Sequence, residues 1–219
     1  MEIIAHRGAP RQHPENTLPS FRQALAWGAD GIELDVRLTR DAVVVVHHDP
    51  APRAPGAPLL STLTADELRR YQPAPGVEIP TLEAVLAAVG GQAIVYVEIK
   101  DPGIEENVLA VLARSPTRCA VHGFDHRVAR RFASLAPQIP TGALMSSYLV
   151  DPAAALRAAG ARDWWQEWPF IDRLLVDRIH DAGGRVIAWT VNDPSTARSL
   201  ADMGVDGICT DVADRIRSL

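Results

Sequence analysis

Eight short β-branched runs alternate with amphipathic stretches along almost the whole chain, and that alternation restricts the architecture more than any other feature of the sequence. The runs are EIIAHRG, GIELDVRL, AIVYVEIK, RCAVHGFD, PTGALMS, RDWWQEW, RVIAWTV and GICTD. Between them, helical spacing marks Asn16 to Gly28, Thr81 to Gly90, Ile104 to Arg114, Arg127 to Ala136, Pro152 to Gly160, Ile171 to Gly183 and Pro194 to Gly204. Several of these close on glycine, as helix C-termini do. Strands alternating with helices imply a parallel sheet. Eight such units in 219 residues fit the compact end of a closed (β/α)8 TIM barrel, with an open doubly wound sheet as the alternative. At 47% hydrophobic content the chain fills one core, so residues 1–219 are expected to form a single barrel domain. In a barrel, functional side chains sit at the C-terminal ends of strands. His6, Arg7, Glu33, Asp35, Glu98, Lys100 and Trp189 all fall late in their runs.

A ninth β-like run, VVVVHHD, breaks the alternation, because only TRDA separates it from IELDVRL. A parallel crossover needs a dozen or more residues, so this run is expected to return antiparallel, as a hairpin arm on the second strand. Glu33 and Asp35 share one face of that strand. An even loop pairs Glu33 with His48 and Asp35 with Val46; an odd loop delivers His47 instead. The Pro-rich segment DPAPRAPGAPLL follows, with a short helix expected from Thr64 to Tyr71, making 50–80 a small insertion.

Composition narrows the partners. A net charge of −5 without a basic run argues against a nucleic-acid surface or an anionic membrane patch. Cys119 and Cys209 stand ninety residues apart in no ligand spacing, which fits a reducing compartment and small core residues. MEIIAHRG has neither the basic start nor the apolar run of a signal peptide, and no segment approaches transmembrane length. A cytoplasmic protein acting on a small molecule is expected, with no membrane insertion.

Glu33, Asp35 and Glu98 would meet at one barrel mouth, where they repel and raise one another's pKa values unless compensated. Local pairing of Asp35 with Arg37 and of Glu98 with Lys100 is the bland solution. A hard divalent cation resolves all three together, and oxygen-only ligation points to Mg²⁺ or Ca²⁺. His6 and a hairpin histidine nearby make a general acid and base pair, since histidine titrates near neutrality. Arg7 and Lys100 add fixed cations, arginine being suited to bidentate phosphate binding. Together these groups can cleave a phosphodiester.

The stretch HRGAPRQHPENTLPSFRQALAWGADGIELDVRLTRDAVVVVHHDP resembles the signature of the glycerophosphodiester phosphodiesterase family, with H-R-G, P-E-N-T, E-x-D-V, T-x-D and H-D in order. VEIK, WTVND and GICTD are similar to its later blocks. The resemblance implies a (β/α)8 barrel that hydrolyses glycerophosphodiesters to glycerol 3-phosphate and an alcohol. It implies Glu33, Asp35 and Glu98 as ligands of one divalent cation, His6 and His48 as acid-base pair, and Arg7 and Lys100 on the phosphate. The route is either direct attack by water or attack by the glycerol 2-hydroxyl through a cyclic phosphate. A phospholipase D-type lyase ending at a cyclic phosphate, a non-catalytic binding barrel and an aldolase-like Lys100 Schiff base are the alternatives. The last is disfavoured because Glu98 and Asp101 keep Lys100 protonated.

Other residues carry weaker expectations. Pro14 to Thr17 either cap the first helix or reach the site. Trp189 reads as stacking on the glycerol moiety because of its strand-end position, with core packing as the alternative. Thr210 and Asp211 read as structural. Trp164, Trp165, Trp168 and Phe170 read as packing beneath a loop, with an apolar rim for the substrate as the other possibility. After HHDP the family's frequent L-x-R-T element is missing, and His122 stands where many members carry a small polar residue.

Overall fold

Each of the eight runs forms a strand, because β-branched residues at alternate positions cover a face that helices pack against. In the computed structural model, which describes residues 1–218, the strands are β1 (Glu2–His6), β2 (Gly31–Leu38), β3 (Val44–Val46), β4 (Ile94–Ile99), β5 (Cys119–Gly123), β6 (Thr141–Met145), β7 (Asp163–Glu167), β8 (Arg185–Trp189) and β9 (Gly207–Thr210). Leu219, the last residue of the expected domain, lies outside the described residues. All strands but β3 pair in parallel, and β1 pairs with both β2 and β9, which closes the barrel. An open sheet is thereby excluded.

Helices α1 (Leu18–Ala26), α2 (Ala65–Leu68), α3 (Leu82–Val89), α4 (Glu105–Leu112), α5 (His126–Leu135), α6 (Pro152–Ala159), α7 (Arg173–Asp181), α8 (Pro194–Asp202) and α9 (Ala213–Ile216) follow; all but α2 form the outer ring. Local chemistry sets their ends: Thr81, Asp151, Asp172 and Asp193 each accept a first-turn backbone N–H. Gly90 and Gly160 close α3 and α6 in the left-handed conformation. No helix among the described residues is long and apolar enough to cross a membrane.

Period-two alternation divides the core. Outward-facing Ile32, Leu34, Val36, Val95, Val97 and Ile99 pack under the helices with Phe21, Leu82 and Val85. Inward-facing Ile4, Tyr96, Leu144, Trp165, Ile187 and Cys209 fill the barrel. The two adjacent tryptophans therefore separate, Trp164 joining the outer cluster and Trp165 the inner one. Trp168 and Phe170 lie in a 3₁₀ turn after β7 and remain about two-fifths exposed, 41% and 39%. Below the inner layer, Tyr96 and Arg185 donate to Glu2 while Arg162 donates to Asp163, so the barrel floor is an ion-pair plug.

The return of β3 selects the odd loop, against the even one that placing His48 opposite Glu33 requires. Val36 pairs with Val46, Arg37 with Val45 and Leu38 with Val44, and the Thr39 N–H donates to Val43 O. The loop is therefore Arg40 to Ala42, odd rather than even, one residue away from the pairing that put Glu33 opposite His48. Its third position is Ala42 at φ +62°, the left-handed site that a three-residue hairpin loop needs. Glycine or asparagine usually marks that site; alanine conceals it. By this register His47 stands opposite Asp35, and its N–H donates to Asp35 O at 2.9 Å. Alternation ends there, because β3 stops at Val46 and the chain turns away. The insertion then folds back, with Leu60, Leu63 and Leu68 covering Val45.

Candidate active site

All eight barrel strands contribute to one mouth, and β1 turns into it sharply. Arg7 has φ +55° and Gly8 φ +89°. A Cβ on Gly8 would stand 2.5 Å from Ser20 Oγ and 2.7 Å from its carbonyl carbon. Only glycine fits, and the close approach lets Ser20 Oγ accept the Ala9 N–H and donate to Arg7 O. Gly8→Ala should cost about 3 kcal/mol of stability through strain and clash, read as a lower urea midpoint at unchanged slope.

The turn delivers His6 and Arg7 to a cavity of about 230 Å³, whose walls also include Glu33, His48, Glu98 and Lys100. Trp189 and the half-exposed Phe124 form its apolar side, edge to face at 5.6 Å. Among the residues expected at the site, only Asp35 lies behind the wall. It is fully buried, accepts from Asn16 Nδ2 at 2.8 Å, and stands 3.1 Å from Arg7 Nε and 3.3 Å from Lys100 Nζ. Pro14 to Thr17 thus serve the site: Thr17 does not cap α1 with its side chain, Asn16 holds Asp35 and Glu15 accepts from Arg7 Nη1 at 2.9 Å. Arg37 pairs with Asp101 and donates to His48 O, not to Asp35, whereas Lys100 does donate to Glu98, at 2.6 Å.

Charge in this cluster is unbalanced. Burial, then repulsion from Asp35 and Glu98, raises the Glu33 carboxyl well above the usual carboxylate range. Glu98 is raised for the same reasons, burial first and Asp35 second. Burial also opposes ionisation of Asp35, but Arg7 and Lys100 outweigh it and hold that carboxyl below its ordinary value. Three carboxylates against two cations leave Glu33 Oε1 buried without a hydrogen-bond partner. The group whose ligand atoms lie within 4.8 Å of one another is Glu33, Glu98 and His122. That donor set fits a divalent cation.

Two of the cavity's three histidines, His6 and His48, are held through Nδ1 by an aspartate. His6 Nδ1 stands 2.7 Å from Asp211 Oδ1, and Asn192 Nδ2 donates to Asp211 Oδ2 at 2.8 Å. His48 Nδ1 stands 2.7 Å from Asp49 Oδ1, while Arg53 donates from Nε to Asp49 at 2.8 Å and from Nη2 to Glu15 at 2.7 Å. Nε2 of neither ring makes a hydrogen bond among the described residues, and that of His6 stands 3.9 Å from Glu33 Oε2. His47 points elsewhere, its Nε2 3.1 Å from Ala51 O in a neighbouring hollow walled by Pro14, Pro52 and Tyr71. Burial lowers its pKa.

Three positions that the sequence reading left without a site role join these networks. Asp211 read as structural, although barrel closure makes its strand the neighbour of β1 and so of His6. Arg53 lies in the Pro-rich segment read as a surface loop, where no local pattern marks it as a partner of Asp49 and Glu15. His122 was noted without a role; it faces inward like Glu98, its partner in the β4–β5 register, and burial drives its pKa down to about 3.

The sequence matches the Glycerophosphoryl diester phosphodiesterase family over residues 6–215. It is 36% identical over 239 residues to YhdW of Bacillus subtilis, covering 99% of this chain and 96% of that protein. It is 32% identical over 238 residues to the glycerophosphodiester phosphodiesterase of Caldanaerobacter subterraneus subsp. tengcongensis, with the same coverage, 99% and 96%. The structure of an Oleispira antarctica phosphodiesterase in complex with its product sn-glycerol-3-phosphate superposes with a TM-score of 0.90 at 27% identity, covering 100% of this chain and 96% of that one. A closed barrel, a mouth of paired carboxylates, cations and histidines, and a match along nearly its whole length agree: the chain belongs to the glycerophosphoryl diester phosphodiesterase family.

Proposed function

We propose that this cytoplasmic single-domain barrel hydrolyses glycerophosphodiesters to glycerol 3-phosphate and an alcohol, with residues 50–80 as a short insertion beside the site. The observation that carries the reading is the pair of aspartate-held histidines, His6 and His48, in one cavity with Arg7 and Lys100. Arg7 and Lys100 are the phosphate-holding cations; Asp35 and Glu15 keep both charged and aimed. One histidine takes a proton from the attacking hydroxyl as the other protonates the leaving alcohol, each through Nε2. Trp189 and Phe124 offer the glycerol carbons an apolar face and exclude water from that side. Glu33, Glu98 and Asp35 are the carboxylates for one divalent cation, and the unpartnered Glu33 Oε1 supports a cation there. When bound, the cation supplies Lewis-acid stabilisation of charge on the phosphoryl oxygens.

Release of glycerol 3-phosphate from glycerophosphocholine, with and without chelator, tests the reading. Product formation that survives chelation, or no product from any glycerophosphodiester, rejects it. A cyclic phosphate as the final product would replace hydrolysis with the lyase route.

Arg53 joins the His48 and Arg7 networks through Asp49 and Glu15, yet its side chain is 58% exposed, so its effect should be moderate. Arg53→Ala should lower kcat by roughly fivefold to tenfold with KM nearly unchanged, and Arg53→Lys should recover part of the loss. Steady-state kinetics on the two variants distinguish this from a purely structural role, which lysine would not rescue selectively.

A further inference from the structure

We infer that His122 contributes an imidazole nitrogen to the cation site, making it a mixed nitrogen and oxygen site that favours a first-row transition-metal dication over Mg²⁺ or Ca²⁺. The inference rests on the phosphodiesterase reading only for the presence of a cation in this cavity. His122 is 1% exposed and lines the cavity floor beside Glu33 and Glu98. Its Nε2 stands 3.9 Å from Glu33 Oε1, and one ligand atom from each of the three residues falls within 4.8 Å of the others. Glu33 Oε1, buried and unpartnered, belongs to the same cluster.

The ring's surroundings argue against an ordinary core histidine. Such a residue satisfies at least one ring nitrogen with a protein partner, because an orphaned buried nitrogen is costly. Nδ1 of His122 is buried without a partner, and Nε2 makes no hydrogen bond among the described residues. A metal-bound histidine usually has its orientation fixed by an acceptor on the remote nitrogen. Here packing does that work: the ring lies parallel to Trp165 at 4.3 Å and 4°, with Tyr96 edge-on at 6.5 Å. A Cβ at Gly142 would come within 3.0 Å of His122 Cβ and 2.9 Å of the Trp165 ring, so the stack has no room to slide. A ring locked in one plane, with an unoccupied nitrogen beside two carboxylates, is a preformed ligand. Imidazole suits Fe²⁺, Ni²⁺ or Zn²⁺, whereas Mg²⁺ and Ca²⁺ prefer oxygen; Mn²⁺ accepts both donor types and serves as the paramagnetic probe.

The test uses the full chain stripped of metal and reloaded with Mn²⁺. Pulsed EPR should show ¹⁴N modulation from a directly bound ring. The modulation should persist in His6→Gln/His48→Gln and vanish in His122→Gln. His122→Gln should weaken Mn²⁺ binding roughly tenfold or more, and Mg²⁺ binding by less than about threefold, in calorimetric titration. Modulation that is absent, or that disappears from the His6→Gln/His48→Gln protein, overturns the inference; that arm needs no variant of His122. Cation-dependent product release without ¹⁴N modulation would sink the ligand while leaving the phosphodiesterase reading intact. The modulation without turnover of any glycerophosphodiester would do the reverse.

Discussion

His48→Ala should lower kcat by about 10³-fold, whereas His47→Ala should leave it within about twofold, although the two residues are adjacent. His48 lines the cavity with His6 and Glu33, its Nδ1 tied to Asp49 and its backbone carbonyl held by Arg37 Nε at 2.8 Å. It therefore has the fixed orientation that proton transfer requires. His47 is turned toward Ala51 O, with a lowered pKa from burial, and has no path to the phosphate. Its loss should cost roughly 1 kcal/mol of stability, the worth of a partly buried hydrogen bond. One limb of the pH–rate profile should flatten in His48→Ala and remain in His47→Ala. Equal losses in the two variants would mean that the segment after β3 is oriented differently in the working enzyme.

The reason for that asymmetry was only half legible in the chain. The motif H-D singled out His48, but the geometric argument attached to it assumed an even hairpin loop. The loop is odd, and Ala42 gives no sign of the left-handed backbone it must adopt. His48 reaches the cavity because β3 ends two residues earlier, at Val46, beyond which period-two reasoning no longer applies. The barrel itself was readable, since eight strand patterns separated by helix patterns admit few closures, and inward positions such as Glu33, Asp35 and Glu98 follow from alternation alone. Alternation likewise separates Trp164 from Trp165, a distinction that treating the aromatics as one group obscured. Contacts between positions far apart in sequence were harder. His6 and Asp211 are 205 residues apart, and nothing local in GICTD marks its aspartate as a partner; only closure of β9 on β1 does. Asp35 presents the opposite case. Its place on the inward face is predictable, but its role as counter-ion to Arg7 and Lys100 depends on the turn at Gly8 and on Asn16 at φ +58°, which short motifs do not spell out.

Asp211→Asn should reduce kcat by roughly 10²-fold to 10³-fold with little change in KM, because it removes the acceptor that fixes the His6 tautomer. The carboxylate answers two donors at once, His6 Nδ1 at 2.7 Å and Asn192 Nδ2 at 2.8 Å, and Arg11 adds a cation 3.6 Å away. Asn192 is itself anchored, its Oδ1 accepting from the Asp211 backbone N–H and from Thr210 Oγ1. An asparagine has one acceptor oxygen for those two donors, so its amide group must meet either Asn192 or the imidazole. If it meets the imidazole, Nδ1 becomes the acceptor, the proton moves to Nε2, and His6 can no longer take a proton from the cavity side. His6→Ala combined with Asp211→Asn should then be no slower than His6→Ala alone, since the aspartate acts only through that ring. Multiplicative losses would show instead that Asp211 acts on the substrate directly. Stability gives an independent reading. Burial opposes the charge of Asp211, but the bond to His6 outweighs it and holds the carboxyl below its ordinary value. A depressed pKa stabilises the fold fully above the unfolded value of about 3.9, and the contribution disappears as pH falls through the lower folded value. The melting temperatures of wild type and Asp211→Asn should therefore differ at neutral pH and converge in acid. A gap that stays constant down to the acid limb would assign the loss to packing rather than to the ionised carboxylate.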